Sequence, residues 1–510
     1  MNFRNLPFSG RLPEFVCAAL LGVSCVSVTG CATPETPPAI EHAVTVAKKN
    51  LPGPISRSAQ GVFDGETVAY TAAIESTPVE IGIDGKGADI VSFSYVAQQA
   101  TDDRPVLFVF NGGPIAASLW LHIGAVGPYR VSLPDDISQS ETAATLIPNT
   151  DSPLNVADIV LFDPASTGYS RVRDGVDPSV YYSVEADGAQ CADFIEAWLA
   201  AHGRTGSPVF ILGESYGTIR AAEAAGQLAE RGPEHAANGV FLMGQAVNII
   251  EYAQRKENII SYVASLPTLA ATAWELGKVD KIGKTFQGFM AEAKAFGETE
   301  YLTALYQGNK VDPQTRDAVA AKLEAFTGIP AAYYVEHNNR ISKETYRVEL
   351  LKADDLILGR SDARYTGQNQ PGADPASVLS SVYEDAFRNY IKSVFGFEVG
   401  DDYKLYANVD EWIYGPPSPF AAFAFGKRLD PAFAANPDFR LFIGNGYQDT
   451  MTTVGASDYA VSQSDWPLDR VRTAYYKGGH MAYSVDESAK AFGADIREWI
   501  TGAPHAGAGE

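Results

Sequence analysis

Residues Gly213-Glu214-Ser215-Tyr216-Gly217 stand between an apolar run, Ser207 to Leu212, and a helical pattern that extends from Thr218 to Glu230. This order predicts a strand, a tight turn and a helix, with Ser215 at the apex of the turn. Small residues at both ends of the turn let the strand and the helix approach each other. Such a turn lifts the serine hydroxyl above the end of a sheet, which is the position of a catalytic nucleophile.

Apolar runs bounded by turn residues predict further strands on both sides of this turn. The first two alternate apolar and polar residues, as in an antiparallel edge hairpin, whereas the later ones are mostly continuous apolar runs typical of buried parallel strands. The candidate strands are Thr67–Glu75, Asp89–Val96, Val106–Phe110, Asp158–Phe162, Pro208–Leu212, Gly239–Met243, Phe439–Ile443 and Val471–Tyr476, and the candidate helices are Ser183–Ala201, Thr218–Glu230 and Asp486–Thr501. This alternation predicts an α/β-hydrolase fold, a mostly parallel sheet with helices on both faces.

The regular alternation stops near Val247 and resumes near Phe439. The intervening residues look helical and are too many for a loop, so we predict a large, mainly helical cap insertion over residues 248–437. Caps of this kind usually roof the site and shape the substrate pocket. The hydrolase core then consists of residues 61–247 and 438–502, and the tail at 503–510 is expected to be disordered.

The N-terminal residues predict an exported protein. Basic residues precede an apolar stretch from Phe15 to Val28, which is typical of a secretory signal and is assigned to residues 1–30. The proline-rich residues 31–60 read as a tether.

The end of the signal, Val28-Thr29-Gly30-Cys31, resembles a bacterial lipobox, in which the cysteine is lipidated and becomes the first mature residue. Ordinary cleavage near Ala32 is the alternative. We expect a protein in the bacterial cell envelope, lipid-anchored through Cys31 and facing the periplasm.

The composition restricts the possible partners. A net charge of −23 argues against electrostatic binding to nucleic acid or to an anionic membrane surface, so membrane contact is expected only through the lipid anchor. Cleavage of the signal leaves Cys191 as the one cysteine of the folded part, where it is expected to be a small buried residue. No metal or cofactor is expected.

A catalytic base and an acid can be assigned to Ser215 from chain order, which in this fold runs Ser, then Asp or Glu, then His. His480 follows the strand Val471–Tyr476 in a glycine-containing loop, and Asp449 ends the strand that begins near Arg440. We therefore predict a catalytic triad of Ser215, Asp449 and His480. The other histidines are set aside, because His42, His122 and His202 precede the serine, and His235, His337 and His505 lie at a helix exit, in the cap and in the tail.

An oxyanion hole requires backbone N–H groups. One is expected from Tyr216, the residue after the nucleophile. The other is expected from Gly113 in the turn Asn111-Gly112-Gly113-Pro114, which follows the strand Val106–Phe110.

Together these segments resemble the serine carboxypeptidase family, peptidase family S10. The matching stretches are Asn111 to Pro114, Ser118 to His122 with Gly127-Pro128, Asp163-Pro164 with Thr167 to Ser170, Gly213 to Gly217, Gly446 to Asp449 and Gly478 to Met481. The resemblance implies an exopeptidase that acylates Ser215 and releases the C-terminal amino acid of a peptide.

The resemblance also implies a site for the C-terminal carboxylate of the substrate. In the family, residues equivalent to Asn111, Gly112 and Glu214 contact this carboxylate. Two carboxyl groups in contact cannot both be ionised cheaply, so one of them must hold a proton. This implies the acidic working range typical of the family.

Two departures from the family pattern concern this site. Ile115 replaces a glycine beside the oxyanion loop and would not easily adopt a positive φ. Better-known members carry a second glutamate where this chain has Ala125. Two alternatives therefore stay open: an esterase or acyltransferase on the same scaffold, and a peptide-binding lipoprotein in which catalysis is weakened or lost.

Overall fold

The structure of the protein is a computed structural model that describes residues 54–502, apart from 82–85, 100, 102, 135 and 419. The predicted signal sequence, Cys31, most of the tether and the tail at 503–510 lie outside the described residues.

Strands in the described residues belong to one large sheet and two short ribbons. They are β1 (Ile55–Phe63), β2 (Glu66–Glu80), β3 (Gly87–Ala97), β4 (Val106–Phe110), β5 (Tyr129–Ser132), β6 (Thr145–Pro148), β7 (Asp158–Phe162), β8 (Arg171–Val172), β9 (Val209–Glu214), β10 (Gly239–Met243), β11 (Leu356–Leu358), β12 (Thr366–Gln368), β13 (Arg440–Gly446) and β14 (Val471–Tyr476).

The large sheet has the strand order β1-β2-β3-β7-β4-β9-β10-β13-β14, with β8 paired to β3. From β7 to β14 the neighbours are all parallel, whereas β1, β2, β3 and β7 are joined by antiparallel pairs. The central strands are buried along their whole length, which explains their continuous apolar sequences.

The α-helices in the described residues lie on both faces of this sheet and in the segment between β10 and β13. They are α1 (Leu119–Leu121), α2 (Ser140–Ala143), α3 (Val184–Ala201), α4 (Gly217–Arg231), α5 (Ile260–Glu275), α6 (Phe286–Phe296), α7 (Leu302–Gln307), α8 (Pro313–Thr327), α9 (Ala331–Glu336), α10 (Lys343–Glu349), α11 (Val378–Phe395), α12 (Asp430–Ala435), α13 (Val454–Ser462) and α14 (Asp486–Thr501).

The two faces of the sheet carry separate apolar cores, because successive strand residues point in opposite directions. On β4, Leu107 and Val109 join the core that contains residues of α11 and α14, and Phe108 joins the core that contains residues of α3 and α4. This layered arrangement confirms the predicted α/β-hydrolase fold.

The beginning of the sheet differs from the prediction. Strand β1 starts at Ile55, so residues 55–60, which the sequence analysis assigned to the tether, belong to the sheet. Most side chains of β1 are exposed and show no apolar pattern, and the strand forms through backbone pairing with β2, from Ile55 opposite Ile74 to Phe63 opposite Glu66. The predicted antiparallel hairpin is β2–β3, but β1 lies outside it at the sheet edge.

The segment between β10 and β13 is mainly helical, as predicted, and has a core of its own. Residues of α5 and α8, including Leu266 and Leu323, form this core with residues as far as Ala363. The later helix α11 instead contributes Tyr383 and Phe387 to a core of the sheet. The insertion therefore contacts the sheet through α11 on one face and, through residues such as Phe425 and Leu429, on the other.

Candidate active site

Ser215 lies on the predicted sharp turn between β9 and α4. It has a φ of +61°, in the left-handed region that side chains rarely adopt, and its N–H donates to the Met243 carbonyl over 2.9 Å. A Cβ on Gly213 would lie 2.1 Å from the carbonyl oxygen of Gly217, so the turn can close only with a small residue at this position. Such strain is characteristic of a nucleophile elbow.

Asp449 and His480 meet at the ends of the parallel strands β13 and β14. Nδ1 of His480 donates to Oδ2 of Asp449 over 2.7 Å, and both side chains are buried. Nε2 of His480 has no hydrogen-bond partner within the described part of the chain, which leaves it free to accept a proton.

Burial and charge act in opposite directions on His480. Burial alone would lower its pKa, but the adjacent Asp449 and the nearby Glu214 raise the pKa of the imidazole to about 9. The hydrogen bond to Asp449 also selects the tautomer with the proton on Nδ1.

Thr452 supports Asp449 and was not identified from the sequence. Oδ1 of Asp449 accepts the N–H groups of Met451 (2.7 Å) and Thr452 (3.0 Å), and Oδ2 accepts the Thr452 hydroxyl in addition to His480. The threonine three residues after the aspartate is a sequence signal for such a local turn. Four donors thus hold the carboxylate in one orientation.

The cap insertion also positions the histidine. The N–H of His480 donates to the carbonyl of Ser361 over 2.6 Å, and the N–H of Gly479 donates to Oδ2 of Asp362 over 3.1 Å. A Cβ on Gly479 would lie 2.1 Å from the Ser361 carbonyl oxygen. The insertion and the histidine loop are therefore in direct backbone contact.

The loop Asn111–Pro114 lies against the serine turn. A Cβ on Gly112 would lie 2.5 Å from the backbone nitrogen of Tyr216, so no side chain could stand there. Gly113 has a φ of +110°, which glycine adopts readily. The structure therefore brings the backbone segments of Gly113 and Tyr216, whose N–H groups were predicted for the oxyanion hole, onto adjoining turns.

Ile115 is accommodated without the expected backbone strain. It is not among the described residues with a positive φ, and it is buried. Its carbonyl accepts the N–H of Ala407 (3.0 Å), and the N–H of Ala117 donates to the carbonyl of Leu405 (2.8 Å). These two hydrogen bonds attach the residues that follow Pro114 to residues 405–407 of the insertion.

Arg220 of α4 also holds the loop Asn111–Pro114, and it was not identified from the sequence. Its side chain is fully buried, donates to the carbonyls of Asn111 (2.8 Å) and Pro114 (2.7 Å), and forms an ion pair with Asp187 (2.7 Å). An arginine in a helix is normally exposed, so its sequence position gave no indication of this role. Its neighbours Ala221 and Ala222 were the available signal, because small residues mark the buried face of α4.

Glu214, Asn111 and Tyr483 form a buried polar group beside Ser215. Oε2 of Glu214 accepts from Nδ2 of Asn111 over 3.1 Å and from the Tyr483 hydroxyl over 2.7 Å. Burial raises the pKa of Glu214 to about 7, although the positive charge of His480 and the two hydrogen bonds act against this rise. This carboxyl can therefore hold a proton near neutral pH.

The other described histidines are engaged elsewhere. His122 bonds to Tyr95, His202 contacts Glu75, His235 contacts Glu196, and His337 stacks on Tyr333. Cys191 is free and buried in α3, as expected. Within residues 54–502 as described, no helix is long and apolar enough to cross a membrane, and no group of three or more His, Cys, Asp or Glu side chains is arranged to hold a metal ion.

Comparison with known proteins relates the chain to one enzyme family. Residues 88–325, just under half of the chain, match the family model of the serine carboxypeptidases, which supports a hydrolase of the serine peptidase class. The comparison with curated proteins returned no match.

Several solved structures are similar at low sequence identity. Kex1, a prohormone-processing carboxypeptidase from Saccharomyces cerevisiae, is 14% identical with a TM-score of 0.48, over 84% of this chain and 91% of that chain. Proline iminopeptidase from Mycobacterium smegmatis is 12% identical with a TM-score of 0.36, over 84% and 98% of the two chains. A loop variant of a haloalkane dehalogenase from Bradyrhizobium elkanii is 14% identical with a TM-score of 0.34, over 84% and 97%.

Proposed function

We propose that this protein is a serine carboxypeptidase that releases the C-terminal amino acid of peptides through an acyl-enzyme on Ser215. The observation that carries the proposal is Glu214, a buried carboxyl directly before the nucleophile with a pKa raised to about 7. Below this pKa the carboxyl is mainly neutral, and a neutral carboxyl can donate a hydrogen bond to a substrate carboxylate instead of repelling it. An enzyme that cleaves simple esters has no need of such a group.

In the proposed complex the substrate carboxylate lies against Asn111, Gly112 and Glu214. The substrate carboxylate and the carboxyl group of Glu214 share one proton, since two ionised carboxylates in contact would repel each other. This contact places the last peptide bond of the substrate over Ser215.

Acylation then follows from the roles assigned to the triad. The hydroxyl oxygen of Ser215 attacks the carbonyl carbon while Nε2 of His480 takes the hydroxyl proton. The N–H groups of Gly113 and Tyr216 stabilise the resulting oxyanion. His480 returns its proton to the leaving amine, the C–N bond breaks, and the C-terminal amino acid departs.

Deacylation uses the same groups. A water molecule gives a proton to His480 and attacks the ester carbonyl, and the proton then returns to the serine oxygen as the shortened peptide leaves. Asp449 stabilises the imidazolium in both halves of the reaction and keeps the ring orientation fixed.

The first test compares three substrates that carry the same acyl group. They are a blocked dipeptide with a free C-terminus, the C-terminal amide of this dipeptide, and a small ester. We expect release of the C-terminal amino acid from the free acid with the highest kcat/KM, and loss of this activity in Ser215→Ala. Ester cleavage without amino acid release would favour an esterase or acyltransferase. Peptide binding without any turnover, and without fluorophosphonate labelling of Ser215, would favour a binding protein.

The second test uses the ratio of kcat/KM for the free acid to kcat/KM for the amide. Both substrates need neutral His480, so the ratio cancels its titration and reports on Glu214. The ratio should be constant below the pKa of Glu214, about 7, and fall as pH rises above it. In Glu214→Gln, which keeps a donor without titrating, the ratio should no longer depend on pH. A wild-type ratio that is flat across this range would exclude Glu214 as the carboxylate-binding group.

We also propose that the protein is exported and lipid-anchored through Cys31, on the strength of the signal sequence and the lipobox-like Val28 to Cys31. Cys31→Ser should make the protein extractable without detergent. Mass spectrometry of the native protein checks this, and a mature N-terminus downstream of Cys31 would refute it.

A further inference from the structure

Glu214 receives both of its hydrogen bonds on one oxygen. Oε2 accepts from the Tyr483 hydroxyl (2.7 Å) and from Nδ2 of Asn111 (3.1 Å), whereas Oε1 accepts no hydrogen bond from the described residues. The orientation of the Asn111 amide is set by its other end, because Oδ1 accepts the N–H of Leu121 over 3.1 Å. Asn111 must therefore present its NH₂ group to Glu214.

This arrangement distinguishes the two oxygens of the neutral acid. An oxygen that accepts two hydrogen bonds has used its lone pairs and has no room for a proton of its own. A proton on Oε2 would also point at one of the two donors. When Glu214 is neutral, its proton consequently resides on Oε1.

We propose that Tyr483 is a positioning residue of the carboxylate site, which together with Asn111 keeps the Glu214 proton on Oε1, where it is donated to the C-terminal carboxylate of a peptide. The inference rests on the proposed function and adds to it a residue outside the motifs that indicated the site. It also assigns the direction of the shared hydrogen bond, from Oε1–H of Glu214 to a substrate oxygen.

The position of Tyr483 connects this role to Ala125. The tyrosine ring lies against Gly124, where a Cβ would be 2.4 Å from its Cε2 atom, and Ala125 is the next residue. The hydroxyl thus reaches Glu214 from the loop after His480, and it supplies a donor to the carboxyl in a chain without the second glutamate. Because a tyrosine stays neutral where a glutamate would ionise, a single carboxyl titrates in this site.

The expected pH effect of Tyr483 follows from the groups that face Glu214. These groups are His480, Asp449, Asn111, Tyr483 and Tyr383. The Tyr483 hydroxyl binds an ionised carboxylate more strongly than a neutral acid, so it lowers the pKa of Glu214 against the effect of burial. Removing this hydroxyl should raise the pKa of Glu214.

The experiment measures the free-acid to amide ratio of kcat/KM against pH in wild type, Tyr483→Phe and Tyr383→Phe. Tyr383 is the matched control, since its ring neighbours that of Tyr483 (6.4 Å between centroids) and its buried hydroxyl has no hydrogen-bond partner among the described residues. Both variants lose one buried hydroxyl, but only one of these hydroxyls contacts Glu214.

In wild type we expect the ratio to fall about tenfold per pH unit on its alkaline limb, the slope of one titrating carboxyl. In Tyr483→Phe the alkaline limb should move to higher pH by roughly one unit, because the pKa of Glu214 rises. The ratio on the low-pH plateau should also fall about tenfold, because the proton is no longer confined to Oε1. Tyr383→Phe should follow the wild-type curve. In the Glu214→Gln background, Tyr483→Phe should produce no pH-dependent change.

A Tyr483→Phe curve that coincides with wild type would overturn this inference alone and leave the carboxypeptidase proposal standing. An equal shift in Tyr383→Phe would do the same, because the effect would then belong to any buried hydroxyl. A wild-type enzyme without preference for the free acid would overturn the proposed function and this inference with it. Turnover of the amide, which needs the triad but not the carboxylate contact, reports whether each variant is folded.

Discussion

The two sides of Ser215 are held by different kinds of contact. On the base side, the orientation of Asp449 is set within its own turn by Thr452, and its partner His480 follows the adjacent strand. On the side of the proposed oxyanion hole, here called the oxyanion side, the loop Asn111–Pro114 is held by Arg220 from α4 and, next to Pro114, by residues 405–407 of the insertion.

This difference separates two kinds of effect. Substitutions on the base side should change the protonation and orientation of His480, the group proposed to receive the serine proton. Substitutions on the oxyanion side change where a rigid backbone loop lies, without altering any reacting side chain. Variants at the two sides can therefore be told apart by their kinetics.

The largest effect is expected where the two sides meet. Ser215→Ala and His480→Ala should each lower kcat by about 10⁶-fold, and the double variant should be little worse, because the groups act as a unit. The measurement is kcat for the free-acid peptide in the two single variants and the double variant. Multiplicative losses would show that the two residues act independently.

Asp449→Asn should lower kcat by about 10⁴-fold, because an amide cannot stabilise the imidazolium and favours the wrong tautomer. Asp449 also raises the pKa of His480, so the residual activity on the amide substrate should titrate at lower pH than the wild-type value of about 9. The pH profile of kcat/KM for the amide checks this sign. A residual activity that titrates at or above the wild-type pH would contradict the assigned contact.

Arg220 tests the oxyanion side. Arg220→Lys keeps a charge beside Asp187 but cannot bond both loop carbonyls, so kcat should fall by roughly 10- to 100-fold for free-acid, amide and ester substrates alike. Arg220→Met leaves Asp187 buried without its positively charged partner and should lower the free energy of unfolding by about 3–5 kcal/mol.

The control for these variants is Arg231→Lys, on the same helix. Arg231 is partly exposed and pairs with Asp193 and Glu196. The free energy of unfolding of the Arg231→Lys protein should therefore differ from that of wild type by less than about 1 kcal/mol. Equal kinetic effects at positions 220 and 231 would mean that Arg220 does not act through the loop.

The smallest effect is expected at Thr452. Thr452→Val removes the hydroxyl that donates to Asp449 and should lower kcat by about tenfold, corresponding to about 1–2 kcal/mol. Thr452→Ser restores the donor and should recover most of this loss. If Thr452→Val keeps the wild-type kcat, the hydroxyl of Thr452 has no role in orienting Asp449.

Much of the sheet was predictable from local sequence. The bounds of β4, β7 and β10 agree with the apolar runs, because strands buried on both faces have sequences that differ sharply from the turns around them. The bounds of β14 also agree, although this edge strand is only partly buried. The edge strand β1 was not predictable, since its side chains are mostly exposed and its position depends on backbone pairing with β2.

Local sequence signals were enough to identify the sharp turn at Ser215, the glycine loop at Asn111–Pro114, and the strand ends that bear Asp449 and His480. Their spacing and order follow from the short-range geometry of strand, turn and helix. Thr452 contacts an aspartate three positions before it, and this spacing is also a local signal. Arg220 and Tyr483 became identifiable only in the folded chain. Arg220 acts on backbone carbonyls and Tyr483 on one oxygen of a carboxyl, and both contacts join residues more than 100 positions apart. A residue's own neighbours in the chain cannot reveal such contacts, because burial against a distant segment, and not residue type, turns an ordinary arginine or tyrosine into part of the site.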